Sequence, residues 1–185
     1  MQRFTKSIIF ALEKIKIMDK LKIYSAYLPF EVKVSYNSID YIGVLKSIDT
    51  FRNQVSFFSK HLFEQIEIED VKPILFSLED LTKEITIGGE TFVPIVELAN
   101  EFTDDSFNDY YLDKFFKTEI VLREKYSRYY FKIQFKNDKI VGFDNNDTEL
   151  PQFDIFQKLL EWKFNVFNLP EIEYIKVTEE NNPYK

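Results

Sequence analysis

The centre of the chain holds the backbone signals that most restrict its fold. The apolar run 71–76 contains Pro73, which has no N–H for a sheet ladder, so a strand at a sheet edge or a lead into a turn is predicted. Further along, Gly88-Gly89 separates the short apolar runs 85–87 and 91–93. Because glycine takes positive φ angles without cost, a hairpin is predicted there.

Two short helices are predicted on either side of this hairpin. Ser77 stands three residues before Asp80, which is close to a capping box, and apolar residues then recur at helical spacing at Leu78, Leu81 and Ile85. Pro94 suits the first turn of a second helix over 95–102, because that turn has no use for the missing N–H.

In the segments before the centre, apolar residues alternate with polar or small ones, as they do in strands. Strands are predicted over 22–27, 31–36, 41–48, 54–58 and 64–68, with turn chemistry at Asn37 to Asp40. They form an antiparallel meander of four or five strands.

The segments after the centre add a second hairpin and a helix. The run 110–117 is ambiguous between helix and strand, whereas 129–135 and 139–143 flank an Asn-Asp turn. A helix is predicted from Pro151 to Phe164, and an edge strand over 172–177. The sequence therefore predicts an α+β fold of one domain, with an antiparallel sheet (meander plus hairpin) packed by a few short helices and one longer C-terminal helix.

The ends of the chain set the predicted domain limits. Residues 1–17 are predicted to be an extension, helical or loosely ordered, with Ile8, Leu12 and Ile15 on one face, and 18–177 to be the domain. The last eight residues, 178–185, are predicted to fray. The apolar run 7–12 is too short for a secretory signal, so a cytoplasmic protein is expected.

Two residue types limit the chemistry. The chain has no cysteine and a single histidine, His61, so thiolate zinc sites, cysteine nucleophiles and paired-histidine metal sites are excluded. His61 stands among phenylalanines and is predicted to be a partly buried structural residue. No cofactor is expected.

Charge is unevenly spread along a chain whose net charge is −7. Between residues 64 and 109 there are thirteen acidic residues and two basic ones, whereas 114–139 has eight basic residues and three acidic ones. Such an arrangement could steer the encounter with a partner that carries both signs of charge. The alternative is that these charges are only solvated surface residues.

The acidic candidates for partner binding are Glu67, Glu69, Asp70, Glu79, Asp80, Asp104 and Asp105. Glu67 and Glu69 would share a strand face, and Asp80 and Glu84 a helix face. A metal-dependent hydrolase or nuclease built on these carboxylates is the enzymatic alternative.

The basic and aromatic candidates for binding a partner or RNA are Arg128, Tyr130, Lys132 and Lys136. Period-two alternation places them on one face of a strand, with Phe131 and Ile133 on the other. Cations beside a tyrosine suit phosphates and a stacked base. The alternative is an ordinary strand with a solvated outer face.

The central motifs also carry a resemblance. The segments Lys72–Leu75, Leu78–Ile85, Gly89–Pro94 and Glu97-Leu98, read as KPIL-x-x-LxDLTKEI and GExFVP followed by EL, are similar to a family of uncharacterised phage and prophage proteins of Bacteroidetes. The likeness extends more weakly to YSAYLPFEVKV and LLEWKFNVFNL. It implies a phage genetic setting and supplies no catalytic residues.

These observations lead to one expected function and two alternatives. The expectation is a non-enzymatic anti-defence protein, most concretely an anti-CRISPR inhibitor of an RNA-guided nuclease, with a type VI RNA-targeting effector as the target class in Bacteroidetes. The alternatives are the metal-dependent enzyme and a phage housekeeping protein.

Overall fold

Antiparallel strands dominate the structure, a computed structural model that describes residues 19–36, 41–59, 62–103, 107, 109–116, 119–126, 128–136 and 139–185. The strands form a six-stranded sheet that includes one parallel pair, a four-stranded sheet and a two-stranded hairpin. With the helices, this confirms the predicted α+β class. The predicted extension 1–17, His61 and the acidic pair Asp104 and Asp105 lie outside the described residues.

The strands in chain order are β1 Lys33–Tyr36, β2 Ile42–Asp49, β3 Gln54–Ser59, β4 Leu62–Glu67, β5 Val71–Leu75, β6 Ile85–Ile87, β7 Glu90–Phe92, β8 Tyr110–Phe116, β9 Glu119–Glu124, β10 Tyr130–Lys136, β11 Lys139–Phe143 and β12 Ile175–Lys176. The α-helices are α1, helical over the described residues 19–27, α2 Pro94–Phe102 and α3 Gln152–Glu161. Three 3₁₀ helices span Leu28–Phe30, Ile68–Asp70 and Leu78–Thr82.

The chain divides into two compact units that alternate along the sequence. Unit 1 comprises Met1–Leu75 and Leu169–Lys176, and unit 2 comprises Phe76–Asn168 and Val177–Lys185. The chain therefore passes from one unit to the other three times within one α+β domain.

The six-stranded sheet of unit 1 has the order β12-β5-β1-β2-β3-β4. Strands β1 to β4 pair antiparallel in sequence, which confirms the predicted meander with four strands. Pro73 pairs with Val34 of β1, whereas the parallel partner β12 reaches only Ile74 and Leu75. Within the described residues, Pro73 thus has a strand on one side only, where its missing N–H is tolerated.

Residues 22–27, predicted to be a strand, lie instead in helix α1. Tyr24 and Tyr27 are buried three positions apart, and the Tyr24 hydroxyl donates to the carbonyl of Val71 at 2.6 Å. The Ser25 hydroxyl donates to the Leu21 carbonyl four residues back, a bond that a helix supplies. The apolar spacing of this segment fits both periods, and the burial of the two tyrosines decided between them.

The core of unit 1 lies on one face of its sheet, called the inner face here. It contains the buried side chains of Val34, Leu45, Val55 and Phe57. A Cβ at Gly43 would meet the Phe57 ring and lie 2.7 Å from the backbone oxygen of Phe58, so only glycine lets β2 approach β3 this closely.

The four-stranded sheet of unit 2 has the order β11-β10-β9-β8 and is antiparallel throughout. The ambiguous segment is therefore a strand over Tyr110–Phe116, and the predicted second hairpin is confirmed as β10 and β11. A Cβ at Gly142 of β11 would lie 2.5 Å from Cδ1 of Ile155, which shows how closely α3 packs on this sheet.

Helix α3 ends three residues earlier than the predicted Phe164. Lys163 takes a left-handed φ of 60°, its N–H donates to Leu160, and the N–H of Phe164 donates to Leu159, which is the bonding of a Schellman motif. Glycine usually occupies this position, so with lysine there the sequence carries no recognisable signal for the end of the helix. With ten residues against nine in α2, the helix is not the distinctly longer element that was predicted.

The central elements of unit 2 follow the prediction closely. Ser77 and Asp80 form a capping box on a 3₁₀ helix, Gly88 and Gly89 both have positive φ in the β6–β7 turn, and Pro94 opens α2.

The tail, predicted to fray, is instead packed within unit 2. Tyr184 is buried, its carbonyl accepts from the N–H of Gly88 at 2.7 Å, and the Asn182 amide donates to the carbonyl of Thr86 at 2.9 Å. The Tyr184 ring also lies 6.1 Å from the ring of Phe76. An aromatic residue near the end of a polar tail was the signal for this docking.

Candidate partner-binding surfaces

The acidic candidates fall into both units. Glu67, Glu69 and Asp70 are exposed in unit 1, whereas Glu79 and Asp80 belong to unit 2. Glu67 is the last residue of β4 and Glu69 lies in the following 3₁₀ helix, so the predicted shared strand face is wrong. The three unit 1 acids are nevertheless close along the chain at one end of the meander.

Asp80 has an internal role. It is buried, its Oδ2 accepts from the N–H of Ser77 at 3.2 Å, and its Oδ1 pairs with Nζ of Lys83 at 2.6 Å. The bond to Asp80 raises the pKa of Lys83 against the opposing effect of desolvation. Glu84 follows the end of this helix at Thr82, so the predicted shared helix face of Asp80 and Glu84 is wrong.

An exposed aromatic row crosses the outer face of the six-stranded sheet. Phe58 of β3 and Phe63 of β4 are directly opposite each other, and Val44 of β2 is the partner of Phe58 on its other side. The two phenylalanine side chains are 46% and 64% exposed, and Val44 is half-buried. We call these three residues the aromatic row, which consists of the two phenylalanines Phe58 and Phe63 with Val44 beside them. Sequence reasoning missed it, because the predicted strands 54–58 and 64–68 left Phe63 outside a strand, whereas β4 begins at Leu62.

The aromatic row and the acidic end of β4 lie on the same face. Phe63, Gln65 and Glu67 alternate along the strand and therefore point the same way. Gln54 of β3, opposite Glu67, donates from Nε2 to Oε1 of Glu67 at 2.8 Å, which fixes this carboxylate.

The turn between β2 and β3 presents another aromatic side chain. Oδ1 of Asp49 accepts from the N–H groups of Phe51 and Arg52, both at 2.9 Å, and Asn53 takes a φ of 58°. The carbonyl of Asn53 accepts from the N–H of Ile68 at 3.0 Å, which holds the turn beside the acidic end of β4. Phe51 is 93% exposed on this fixed turn.

The predicted basic and aromatic face lies on β10 in unit 2. The alternation is confirmed, because Phe131 and Ile133 are fully buried while Tyr130 and Lys132 are partly exposed. Arg128 is exposed beside the strand, and Lys136 is its last residue.

The charge of Lys132 is neutralised by an ion pair with Asp147. Its Nζ lies 2.6 Å from Oδ1 of Asp147 and 4.5 Å from the centre of the Phe143 ring. Hydrogen bonds to Asp147, first from Lys132 and second from Tyr130, lower the pKa of the Asp147 carboxyl. The pKa of Tyr130 is raised, first by burial and second by its hydrogen bond to Asp147. Asp147 reaches this position from a polar turn in which Asp144 accepts from the N–H groups of Asn146 and Thr148.

On the neighbouring strand β9, another cation is likewise paired with an acidic residue and lies over an aromatic ring. Arg123 of β9 lies over the Tyr130 ring at 5.3 Å, and its Nε donates to Oδ2 of Asp113 at 2.7 Å. Asp113 is the extra residue at a bulge in β8, between Leu112 and Lys114. Sequence reasoning missed Asp113, Arg123 and Asp147, because their approach to β10 depends on strand order and on a bulge.

No group of three or more metal-binding side chains comes together in the described part of the chain. The same part contains no helix long and apolar enough to cross a membrane. Comparison of the chain with known protein families, with curated proteins and with solved structures finds no match.

Proposed function

We propose that the chain is a non-enzymatic binding protein that docks on a protein partner through the outer face of β3 and β4. The observation that carries the proposal is the exposed pair of Phe58 and Phe63. Apolar surface left in water costs about 25 cal/mol per Å², so a paired patch of aromatic rings favours a covering surface. Aromatic residues at the centre of an interface commonly supply most of its binding energy.

The charge around the aromatic row indicates the partner's chemistry. Glu67 lies on the same face, and Glu69 and Asp70 follow it after Ile68. An apolar centre with an acidic rim complements a basic surface that has an apolar recess, and the rim would raise the rate of encounter with it.

The resemblance to phage proteins gives this partner a concrete form. The chain would act in the host cytoplasm as an anti-defence protein, most concretely an anti-CRISPR inhibitor that occupies the basic RNA channel of an RNA-guided nuclease, with a type VI RNA-targeting effector as the target class. Arg128 and Tyr130 could add a contact with guide RNA. Lys132 would contribute less, because Asp147 already neutralises it.

An affinity purification from a Bacteroidetes host lysate tests the proposal. Bait proteins would be the wild type, Phe63→Ser, and Phe153→Ser as the matched control, since Phe153 is a similarly exposed phenylalanine on α3 in unit 2. We expect one large RNA-guided nuclease with the wild type and the control, and at least tenfold less with Phe63→Ser. A parallel arm treated with ribonuclease shows whether RNA mediates retention.

An activity assay with the purified nuclease completes the test. The wild type should inhibit target RNA cleavage, and Phe63→Ser should require a higher concentration for the same inhibition. A nuclease that is retained equally by all three baits would contradict the proposed surface, and the retention of no nuclease would contradict the proposed function.

A further inference from the structure

We propose that β4 is a docking edge to which a partner adds an extended, basic segment as a further strand of the six-stranded sheet. The inference rests on the proposed function and names the structural form of its contact. It identifies the partner by chemistry, as a segment that carries apolar and basic side chains on both of its faces.

The first observation is the regularity of β4. It is the last strand in the sheet order within the described residues, and it pairs with β3 through six consecutive residues without a shift. A regular edge of this length presents a row of N–H and C=O groups that another strand can pair with. By contrast, β2 and β8 both contain irregular register.

The second observation is the side-chain content of β4. The strand contains no proline and no lysine, the residues that commonly protect an edge against pairing. Phe63 and Gln65 are exposed on its outer face, so an added strand could cover Phe63 with an apolar side chain on that face.

Charge selects the occupant. Glu64, opposite the buried Phe57, lies on the inner face and is half-buried, and Glu67 is exposed on the outer face. A second copy of this chain would place four glutamates along the joined edge, between chains that each carry a net charge of −7. Like charges across a strand pair are destabilising, whereas lysine or arginine opposite Glu64 and Glu67 is favourable. A basic segment therefore fits the edge, and a second copy does not.

Selection from a displayed library of random dodecapeptides tests the inference with the full chain as target. We expect enriched peptides to carry two basic residues three positions apart, opposite Glu64 and Glu67, and an apolar residue beside one of them, opposite Phe63. A synthetic copy of the best peptide should slow hydrogen exchange at the amides of Phe63–Glu67. A version of that peptide with alternate backbone nitrogens methylated keeps its charges but loses its edge donors, so it should bind at least tenfold more weakly.

Variants of the chain separate backbone pairing from general attraction. The double variant Glu64→Lys and Glu67→Lys should bind the peptide about tenfold more weakly, as expected for the loss of two cross-strand charge pairs. Glu84→Lys, an exposed acid in unit 2, is the matched control and should bind as the wild type does.

Three results would overturn the inference: no enriched peptide, equal binding of the methylated peptide, or exchange protection that leaves β4 unchanged. If any of these occurs while the nuclease is still captured through Phe63, the proposed function stands and strand addition is wrong. If peptides bind β4 as expected but no nuclease is captured, the docking edge stands and the anti-CRISPR function is wrong.

Discussion

Tyr24 shows how one buried phenol ties α1 to the sheet of unit 1. Its hydroxyl donates to the Val71 carbonyl, and burial, followed by the charge of Glu173, raises the pKa of this phenol far above that of an exposed tyrosine. The folded protein therefore holds the Tyr24 proton at pH values where the unfolded chain releases it. The stability from Tyr24 is complete below about pH 10 and is lost as the pH rises further.

Tyr24→Phe should accordingly have an effect that depends on pH. At pH 8 we expect it to be less stable than the wild type by about 1–2 kcal/mol, because the Val71 carbonyl loses its buried donor. Above about pH 10 ionisation of this group lowers the free energy of unfolding of the wild type alone, by up to about 1.4 kcal/mol per pH unit. The difference in stability between the two proteins should therefore shrink. Urea unfolding of both proteins between pH 8 and 11 measures it, and a constant difference would contradict the assignment.

Asp80 is the other residue whose role is local. Asp80→Ala removes the acceptor for the Ser77 N–H and the partner of Lys83, and should lower the free energy of unfolding by about 1–2 kcal/mol. Glu84→Ala is the control, because Glu84 is exposed and should change stability by less than about 0.5 kcal/mol. Thermal unfolding measures both. Equal effects would show that the capping box adds little.

At the scale of elements, the docked tail holds the β6–β7 hairpin. Tyr184→Ala removes a buried ring that contacts Phe76 and lies 5.7 Å from Nζ of Lys163, and should cost about 2–4 kcal/mol. Hydrogen exchange should also become faster in Ile85–Phe92. Glu180→Ala, an exposed change in the same tail, should leave both unchanged. Unaltered exchange in the hairpin of the first variant would show that the tail does not hold it.

Elements with strong local signals could be predicted from the sequence. The meander, the Gly88-Gly89 turn and the proline at the start of α2 depend on residues that act within a few positions. The helix at 19–27 and the end of α3 could not, because burial of Tyr24 and a left-handed lysine decide them.

The candidate surfaces were predictable only in part. The alternation on β10 was read correctly, whereas its pairing with Asp147 and the aromatic row required knowledge of which strands are neighbours. The acids at 67–70 were found, but their position beside Phe51 depends on the bond between Ile68 and Asn53.

At the scale of the whole molecule, the alternation of the two units predicts cooperative unfolding. Leu169–Lys176 belongs to unit 1 but is bounded on both sides by unit 2, and β5 of unit 1 continues directly into Phe76 of unit 2. Because of these connections, we expect the unfolding of one unit to disturb the fold of the other. Trp162 fluorescence reports on unit 2, and hydrogen exchange in β2 and β3 reports on unit 1. Both should give the same denaturant midpoint, and separate midpoints would contradict this expectation.

The same alternation bears on how the gene can be divided. No single cut separates the two units into different fragments, because each is assembled from segments on both sides of a segment of the other. Co-expressed halves cut between β11 and α3 would each be missing part of a unit and would have to complete one another. That position is therefore the natural place to split the protein into a reporter that folds only when its two pieces meet.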